Sequence, residues 1–195
     1  KSKKTCENFL YSYKKKMKAP LSILRLPNIY GKWAKNNYNS AVATFCHNIP
    51  RGIKSKIQNA DHILPLLYID EVVRDICDFC QSQKNGLSIV NKVENQKISV
   101  GDLYVMLEGF MNNRTRAILE SVDNDFCKNL YATFLSYLPE ERFKYALSSH
   151  GDDRGVFLEA FKSQKNGQIS VFTIKPGKVR GNHYHCTKVE KFLIL

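Results

Sequence analysis

The sequence lacks any long hydrophobic run. No apolar stretch approaches the roughly 20 residues that a helix needs to cross a bilayer, so we expect no membrane insertion. The first four residues lead directly into a helical pattern instead of the apolar core of a signal peptide. The sequence also lacks an initiator methionine, and its last residues stop inside a strand-like run. We therefore expect an internal piece of a longer protein.

Cysteine is present but forms no framework. Six cysteines are scattered along the chain, which favours free thiols in a reducing cytoplasm over a secreted disulfide scaffold. Cys77 and Cys80 form a C-x-x-C motif, yet the sequence has no second such pair to complete a zinc site. Because the motif lies in an amphipathic helical pattern, we expect neither zinc binding nor redox chemistry there.

Acidic residues are scarce relative to basic ones. Thirty lysines and arginines against 18 aspartates and glutamates give a net charge of +12, which raises the question of a nucleic-acid partner. The basic residues are spread along the chain, and the run at residues 14–16 is typical of a solvated helix end. No nucleic-acid motif accompanies that run. We expect a negatively charged small ligand, such as a nucleotide sugar, and no nucleic acid.

Residues 21–33 (LSILRLPNIYGKW) predict a buried strand followed by a loop. A helical pattern over residues 1–17 precedes the strand, which covers residues 21–26. Helix, turn, buried strand and polar loop make up half of a βαβ unit. Because ligands lie beyond the carboxyl ends of strands in open α/β sheets, we expect residues 27–33 to meet a small molecule.

The rest of the chain predicts two regions of different class. Up to residue 138 strands alternate with helices, and the expected helices cover residues 41–49, 70–83, 98–111 and 126–137. Ser40 and Asp70 are the expected caps of the first two. A charged stretch at 139–149 predicts a linker. Residues 155–161, 168–174 and 191–195 predict short strands of an all-β barrel or jelly roll.

Residues 25–31 (RLPNIYG), with Ser2-Lys3 at the start of the first helix, resemble the extended short-chain dehydrogenase/reductase family, which acts on nucleotide sugars. In that family a Tyr-x-x-x-Lys pair is catalytic. Lys3 would be its lysine, and the tyrosine would fall two residues before Lys1. Such a lysine lowers the tyrosine's pKa and holds the cofactor ribose, so that the phenol can pass a proton to a developing alkoxide. Without this context, Lys3 would be a surface lysine.

The same resemblance implies residues for cofactor and substrate. The residues lining an NADPH (or NADH) site would be Lys3, Pro27 and Ile29, and Asn28 would hydrogen-bond the substrate. Asn39 lies just before a predicted helix N-terminus, which can bind an anion, and would contact the nucleotide. The residues alone leave two alternatives open: Asn28 as a cap of the following turn, and Asn39 as a turn residue.

Residues 181–190 (GNHYHCTKVE) carry candidate metal ligands. In a strand, His183 and His185 point to the same face, and Glu190 completes a facial set of two imidazoles and one carboxylate. The segment resembles the first cupin motif. That resemblance implies zinc or another divalent metal held by these three residues, with a further histidine beyond residue 195. A lone histidine pair would be structural.

Residues 150–159 (HGDDRGVFLE) resemble the entry strand of cupin-class sugar 3,5-epimerases. The resemblance implies that Arg154 faces the phosphates of the nucleotide sugar, which a guanidinium can grip with two hydrogen bonds. The residues alone equally allow Arg154 to be a turn residue paired with Asp152 or Asp153.

Together the two resemblances imply an α/β chain. Residues 1–143 would be the C-terminal portion of a Rossmann-type nucleotide-sugar reductase domain, and residues 144–195 the first portion of a β-barrel cupin. The expected function is C3 epimerisation of a UDP-linked 4-keto-6-deoxy amino sugar by the cupin and reduction of C4 with NADPH by the reductase, in a homodimer. Two alternatives stay open: an NAD-dependent nucleotide-sugar 4-epimerase or 4,6-dehydratase, and a non-catalytic sugar-binding cupin protein.

Overall fold

The computed structural model describes residues 2–82, 86–92, 94, 96–121, 123–163 and 167–194. They form a mixed α/β fold. The helices are α1 (Ser2–Met17), α2 (Ala41–Asn48), α3 (Ile69–Gln81), α4 (Val100–Thr115) and α5 (Asp125–Leu135). The strands are β1 (Leu21–Arg25), β2 (Asn28–Tyr30), β3 (Ile63–Tyr68), β4 (Leu87–Asn91), β5 (Gln96–Ser99), β6 (Ile118–Leu119), β7 (Ser149–Asp152), β8 (Gly155–Ser163) and β9 (Gly167–Phe172).

The first sheet pairs β1 with β4 in parallel, in register from Leu21 and Leu87 onwards. Helix α1 is tied to this sheet by Arg25, whose Nε and Nη2 donate to Glu7 at 3.0 and 2.7 Å. Helix α1 shields this sheet from solvent only in part: Ile23 is buried, whereas Phe9 on α1 is 70% exposed. The predicted helix and strand are confirmed, but most of the strand is only half-buried.

The second sheet has the order β2-β3-β5, with β2 parallel and β5 antiparallel to β3. A loop was predicted for residues 27–33, and this is wrong for Asn28–Tyr30. Those three residues pair with Leu66, Leu67 and Tyr68. A three-residue strand gains its stability from its partner, so a single-sequence pattern contains little signal for it.

The core lies between the second sheet and three helices. Helices α2, α4 and α5 contact one another, and α4 also contacts β5. Buried side chains of all three helices join Leu66 of β3 in one hydrophobic cluster. Leu66, Leu103, Leu107, Leu130 and Phe134 are essentially inaccessible to solvent. This cluster fixes the ends of β2 and β3 relative to the start of α5.

The helix starts follow capping chemistry with two corrections. Ser40 accepts a hydrogen bond from the Ala43 N–H at 3.2 Å, which confirms it as the cap of α2. Ser99 accepts from the Asp102 N–H at 3.0 Å and caps α4, so Ile98 lies within strand β5 instead of opening the helix. Asp70 is not a cap: it lies in the first turn of α3, where its charge favours the helix dipole.

The third sheet has the order β6-β8-β7, with β9 also paired to β8. The strand predicted at 155–161 is confirmed as part of β8, and the one predicted at 168–174 is confirmed up to Phe172, where β9 ends. The strand predicted at 191–195 is wrong for residues 191–194, and Leu195 lies outside the described residues. Among the described residues these strands form an open sheet, not a closed barrel.

The third sheet also crosses the predicted linker. Strand β6 precedes residue 139, yet it pairs in parallel with the end of β8, at Lys162 and Ser163. Within the first part of the predicted linker, the carbonyls of Arg142 and Phe143 accept hydrogen bonds from Arg114 of α4 at 3.2 and 2.9 Å. The polypeptide on either side of residue 143 is therefore joined by main-chain and side-chain hydrogen bonds.

Two further predictions concern the cysteines and the length of the helices. All six cysteines are free thiols, as predicted. Within the part of the chain that the structure describes, every helix is too short or too polar to span a bilayer.

Candidate functional site

The predicted cofactor and substrate residues lie around the two parallel strand pairs. Lys3 is an exposed residue in the first turn of α1. Pro27 connects β1 to β2, and the half-buried Ile29 lies in β2. Asn28 opens β2 with its side chain exposed, opposite Leu66, so it is a strand residue rather than the cap of a turn.

Asn39 lies in a turn that precedes α2 by one residue. Its φ of 53° is left-handed, as are those of Trp33 and Asn37 in the same loop, at 60° and 54°. Asparagine tolerates this region better than most residues do, which accounts for two of the three positions. Asn39 is exposed next to Ser40, the cap of α2, as expected for either of its two predicted roles.

Arg154 is paired with Asp152, one of the partners that the sequence allowed. Its Nε and Nη2 donate to Asp152 Oδ2 at 3.0 and 2.7 Å. Asp152 Oδ1 accepts from the Arg154 and Gly155 amides at 2.9 and 3.1 Å and from Arg180 Nη2 at 2.8 Å. The hydrogen bonds from the Arg154 side chain hold the pKa of Asp152 below its ordinary value. One carboxylate thus receives donors from two guanidiniums and two amides.

Arg180 joins this centre to the segment that carries the histidines, residues 173–190, which we call the histidine arm. The arm is fastened near its start by hydrogen bonds from the Thr173 amide to Val156 and from the Lys175 amide to Arg154, both 2.8 Å. Further along, Lys178 pairs with Asp153 at 2.8 Å. The Arg180 Nε is buried without a hydrogen-bond partner among the described residues.

The candidate metal ligands lie at the far end of the arm, on irregular backbone. The strand predicted to align the two histidines is absent there, yet the rings of His183 and His185 are 4.8 Å apart. The His185 Nε2 is 3.8 Å from the Glu190 Oε1. The structure therefore brings the three side chains near one another, although no three potential ligands of the described residues converge tightly enough for one ion.

Sequence reasoning missed a cavity of about 540 Å³ beside the core. It opens where the parallel strands β2 and β3 end, at Tyr30 and Tyr68, and where α5 begins. The Tyr30 ring contacts those of Tyr68 and Phe126, with centroids 5.3 and 6.0 Å apart. Burial raises the pKa of both phenols. An aromatic residue at the carboxyl end of each of two parallel strands was the available signal.

Comparison with solved structures identifies a relative that matches nearly the whole chain. The capsular polysaccharide assembling protein CapF from Staphylococcus aureus matches 95% of this chain with a TM-score of 0.85 and 39% identity. This chain is a close homologue of CapF. The match covers 51% of the CapF chain.

Two further matches agree with this relationship. A curated relative from Pseudomonas aeruginosa, UDP-2-acetamido-2,6-beta-L-arabino-hexul-4-ose reductase, is 44% identical over the whole of this chain and 52% of its own length. Residues 150–195 match the family model for the polysaccharide biosynthesis C-terminal domain. The chain spans about half the length of CapF and of this reductase.

A more distant structure supports the fold alone. The UDP-N-acetylglucosamine 4-epimerase from Methanobrevibacter ruminantium covers 70% of this chain and 52% of its own, with a TM-score of 0.57 and 15% identity. The mixed α/β architecture is thus shared with a nucleotide-sugar enzyme.

Proposed function

We propose that this chain is part of an enzyme that modifies a UDP-linked keto sugar for capsular or surface polysaccharide synthesis. The observation that carries the proposal is the 44% identity, over the whole chain, to a relative named as a UDP-hexulose reductase. The name of that relative supplies the substrate class, and the description of CapF as a capsular polysaccharide assembling protein supplies the biosynthetic purpose.

The first part of the proposal concerns reduction of the C4 ketone. Residues 1–143 form the C-terminal portion of a Rossmann-type reductase domain, and NADPH (or NADH) supplies the hydride when bound. Lys3, Pro27 and Ile29 hold the cofactor, and Lys3 lowers the pKa of a tyrosine supplied from outside this sequence. Asn28 orients the keto sugar, and Asn39 contacts its nucleotide. The exposed side chains of Lys3, Asn28 and Asn39 are compatible with these roles.

The second part concerns epimerisation at C3. Residues 144–195 form the first portion of a cupin, in which His183, His185 and Glu190 hold zinc or another divalent metal. Two imidazoles and a carboxylate are donors that such ions accept, and a metal there would supply Lewis acidity or only hold the fold. Arg154 faces the phosphates of the nucleotide sugar, for which it must loosen its pairing with Asp152. We also propose a homodimer.

The test uses the full-length protein, a UDP-4-keto-6-deoxy-N-acetylhexosamine and NADPH. We expect the sugar to cause oxidation of NADPH, which is measured as a loss of absorbance of the reduced nicotinamide. The parent UDP-N-acetylhexosamine, which carries hydroxyls at C4 and C6, is the second substrate: release of water from it or inversion at its C4, without net oxidation of NADPH, would instead indicate a 4,6-dehydratase or 4-epimerase. Sugar binding without turnover would indicate a non-catalytic binding protein, and either result contradicts the proposal.

The metal is tested separately. We expect the purified full-length protein to contain about one equivalent of divalent metal per chain, and the His183→Ala variant to contain much less, because two ligands hold an ion far less tightly than three. Elemental analysis measures both. Equal metal contents in the two proteins would contradict the assigned ligands.

A further inference from the structure

The cavity beside the core contains none of the residues assigned above to cofactor, substrate or metal. It is bounded by the ends of β2 and β3, the start of β5, one side of α4 and the first turn of α5. Its volume of about 540 Å³ lies within the range of small-molecule sites and leaves ample room for one six-membered sugar ring. The lining residues are Tyr30, Tyr68, Gln96, Ile98, Met106, Asn124, Asp125, Phe126, Cys127 and Asn129.

Two tyrosines form part of the cavity wall. Tyr30 is only 3% and Tyr68 only 7% exposed, and both line the cavity. The Tyr30 ring also contacts Phe126 in the first turn of α5, with centroids 6.0 Å apart. A phenol that lines a cavity can both donate and accept a hydrogen bond, so these two groups are suited to meet a polar ligand.

The first turn of α5 supplies further donors. The Asn124 side chain caps the helix by accepting from the Cys127 N–H at 2.8 Å, and this leaves the first two amides of the turn without a partner within the helix. The amide side chains of Gln96 and Asn129 add groups that can both donate and accept. Donors and acceptors therefore face the same space from two sides.

The charge of the lining separates ligand classes. Among the described residues no lysine or arginine lines the cavity, and its one ionised group is the Asp125 carboxylate, which pairs with Lys128. A diphosphate would lack a counter-charge here and would meet a carboxylate. Three aromatic rings with neutral amides instead suit a molecule with apolar C–H faces and a rim of hydroxyl or amide groups.

We propose that this cavity binds a neutral hydroxylated ring, the chemistry of a monosaccharide or its N-acetyl derivative. The tyrosine and phenylalanine rings pack against its C–H faces, and the phenols and amides hydrogen-bond its polar rim. None of the residues assigned to the nucleotide, the cofactor or the metal lines the cavity, so binding there should require neither a nucleotide nor NADPH. The cavity recognises the sugar ring itself, without an attached nucleotide.

Cys127 provides a direct probe of occupancy, because it lines the cavity and is partly exposed. The full-length protein is treated with a small methanethiosulfonate reagent, with and without methyl N-acetylglucosaminide, and modification of each cysteine is followed by peptide mass spectrometry. We expect the sugar to slow labelling of Cys127 by at least about fivefold and to leave the exposed Cys186 unchanged. Uridine monophosphate at equal concentration should protect neither thiol.

Removal of the two hydroxyls tests the assigned contacts. The Tyr30→Phe and Tyr68→Phe variants keep the rings but lose one hydrogen bond each, so we expect the sugar concentration needed for half-protection to rise about three- to tenfold. Tyr145→Phe, outside the cavity, is the matched control and should behave as the unmodified protein. Thermal melting of each variant verifies folding before labelling.

Several outcomes would overturn the inference. They are an absence of protection by the sugar at tens of millimolar, protection by uridine monophosphate in its place, and equal protection in the phenylalanine variants. The NADPH assay described above is a separate readout. Sugar-dependent protection in a protein that oxidises no NADPH would refute the proposed reductase while retaining this site, and the reverse result would refute only the site.

Discussion

At the scale of single residues, Asp152 is the carboxylate that holds the histidine arm through the largest set of hydrogen bonds among the described residues. Its carboxylate accepts five hydrogen bonds, from Arg154, Gly155 and Arg180. The glycine is needed there: Gly155 has a φ of 147°, and a Cβ at this position would overlap the Thr173 carbonyl. Asp152 thus positions both the turn into β8 and the arm that carries His183 and His185.

The Asp152→Asn variant should loosen the histidine arm. Asparagine keeps the shape but loses the charge that holds two guanidiniums, so tryptic cleavage after Lys178 and Arg180 should accelerate about three- to tenfold. Limited proteolysis with mass spectrometry measures the rate at each site. Asp153→Asn is the matched control. The Asp153 carboxylate is next to Asp152 in the sequence but pairs only with Lys178 among the described contacts.

Equal cleavage rates in the two variants would show that Asp152 has no special role. Acceleration in the Asp152→Asn variant at sites throughout the chain would indicate global unfolding instead, and would also contradict a local positioning role.

Acid should release the same contact. The pKa of Asp152 lies below its ordinary value of 3.8 because Arg154 donates to the carboxylate, and so the ion pairs are fully present above that pH. As the pH falls through the lowered pKa, the carboxylate is protonated and the arm loses its anchor. Hydrogen exchange of the Thr173, Lys175 and Lys178 amides, corrected for the intrinsic rate, should stay constant from pH 8 to about 4 and rise below it. A loss of protection between pH 7 and 5 would implicate a histidine instead.

Gly31 is a second residue whose identity is fixed by a close approach. It is buried, and a Cβ there would overlap the Ile69 side chain at the start of α3. We expect Gly31→Ala to lower the free energy of unfolding by about 1–3 kcal/mol through overpacking, measured by urea denaturation of the full-length protein. Gly109→Ala is the control: nothing lies near its Cβ position within α4, so it should stabilise by about 0.5–1 kcal/mol. Similar destabilisation in both variants would contradict the account.

At the scale of elements, the sequence predicted what is periodic and capped. Helices α2 and α5 follow from apolar spacing, Ser40 from its capping chemistry, and β8 from a short apolar run set off by turn residues. Three features depended on partners that no local pattern reveals. Strand β2 exists because β3 is beside it, residues 191–194 have no strand partner among the described residues, and Asp70 lost the capping position to a helix that begins one residue earlier.

The candidate site, too, was predictable from the sequence only in part. Spacing alone suggested the His183, His185 and Glu190 set, and the structure brings their side chains near one another without the expected strand. The pairing of Arg154 with Asp152 was one of two open alternatives. The cavity was missed because Tyr30, Tyr68 and Phe126 come from three distant segments that only the packed core unites.

At the scale of the whole molecule, the chain joins two regions that we assign to successive steps on one ketone. The parallel pairing of β6 with β8 and the hydrogen bonds of Arg114 to residues 142 and 143 connect them. Such a connection favours a fixed relation between the reductase portion and the histidine arm. The central claim is therefore that one protein exchanges the C3 proton and then reduces C4.

Deuterium incorporation tests this claim most directly. The full-length protein converts a UDP-4-keto-6-deoxy-N-acetylhexosamine with NADPH in D₂O, and the product is analysed by NMR and mass spectrometry. Because epimerisation removes the C3 proton and returns one from solvent, the account predicts a C4-reduced product with one deuteron at C3 and the inverted configuration there. A C4-reduced product that retains its original C3 proton and configuration would contradict the account.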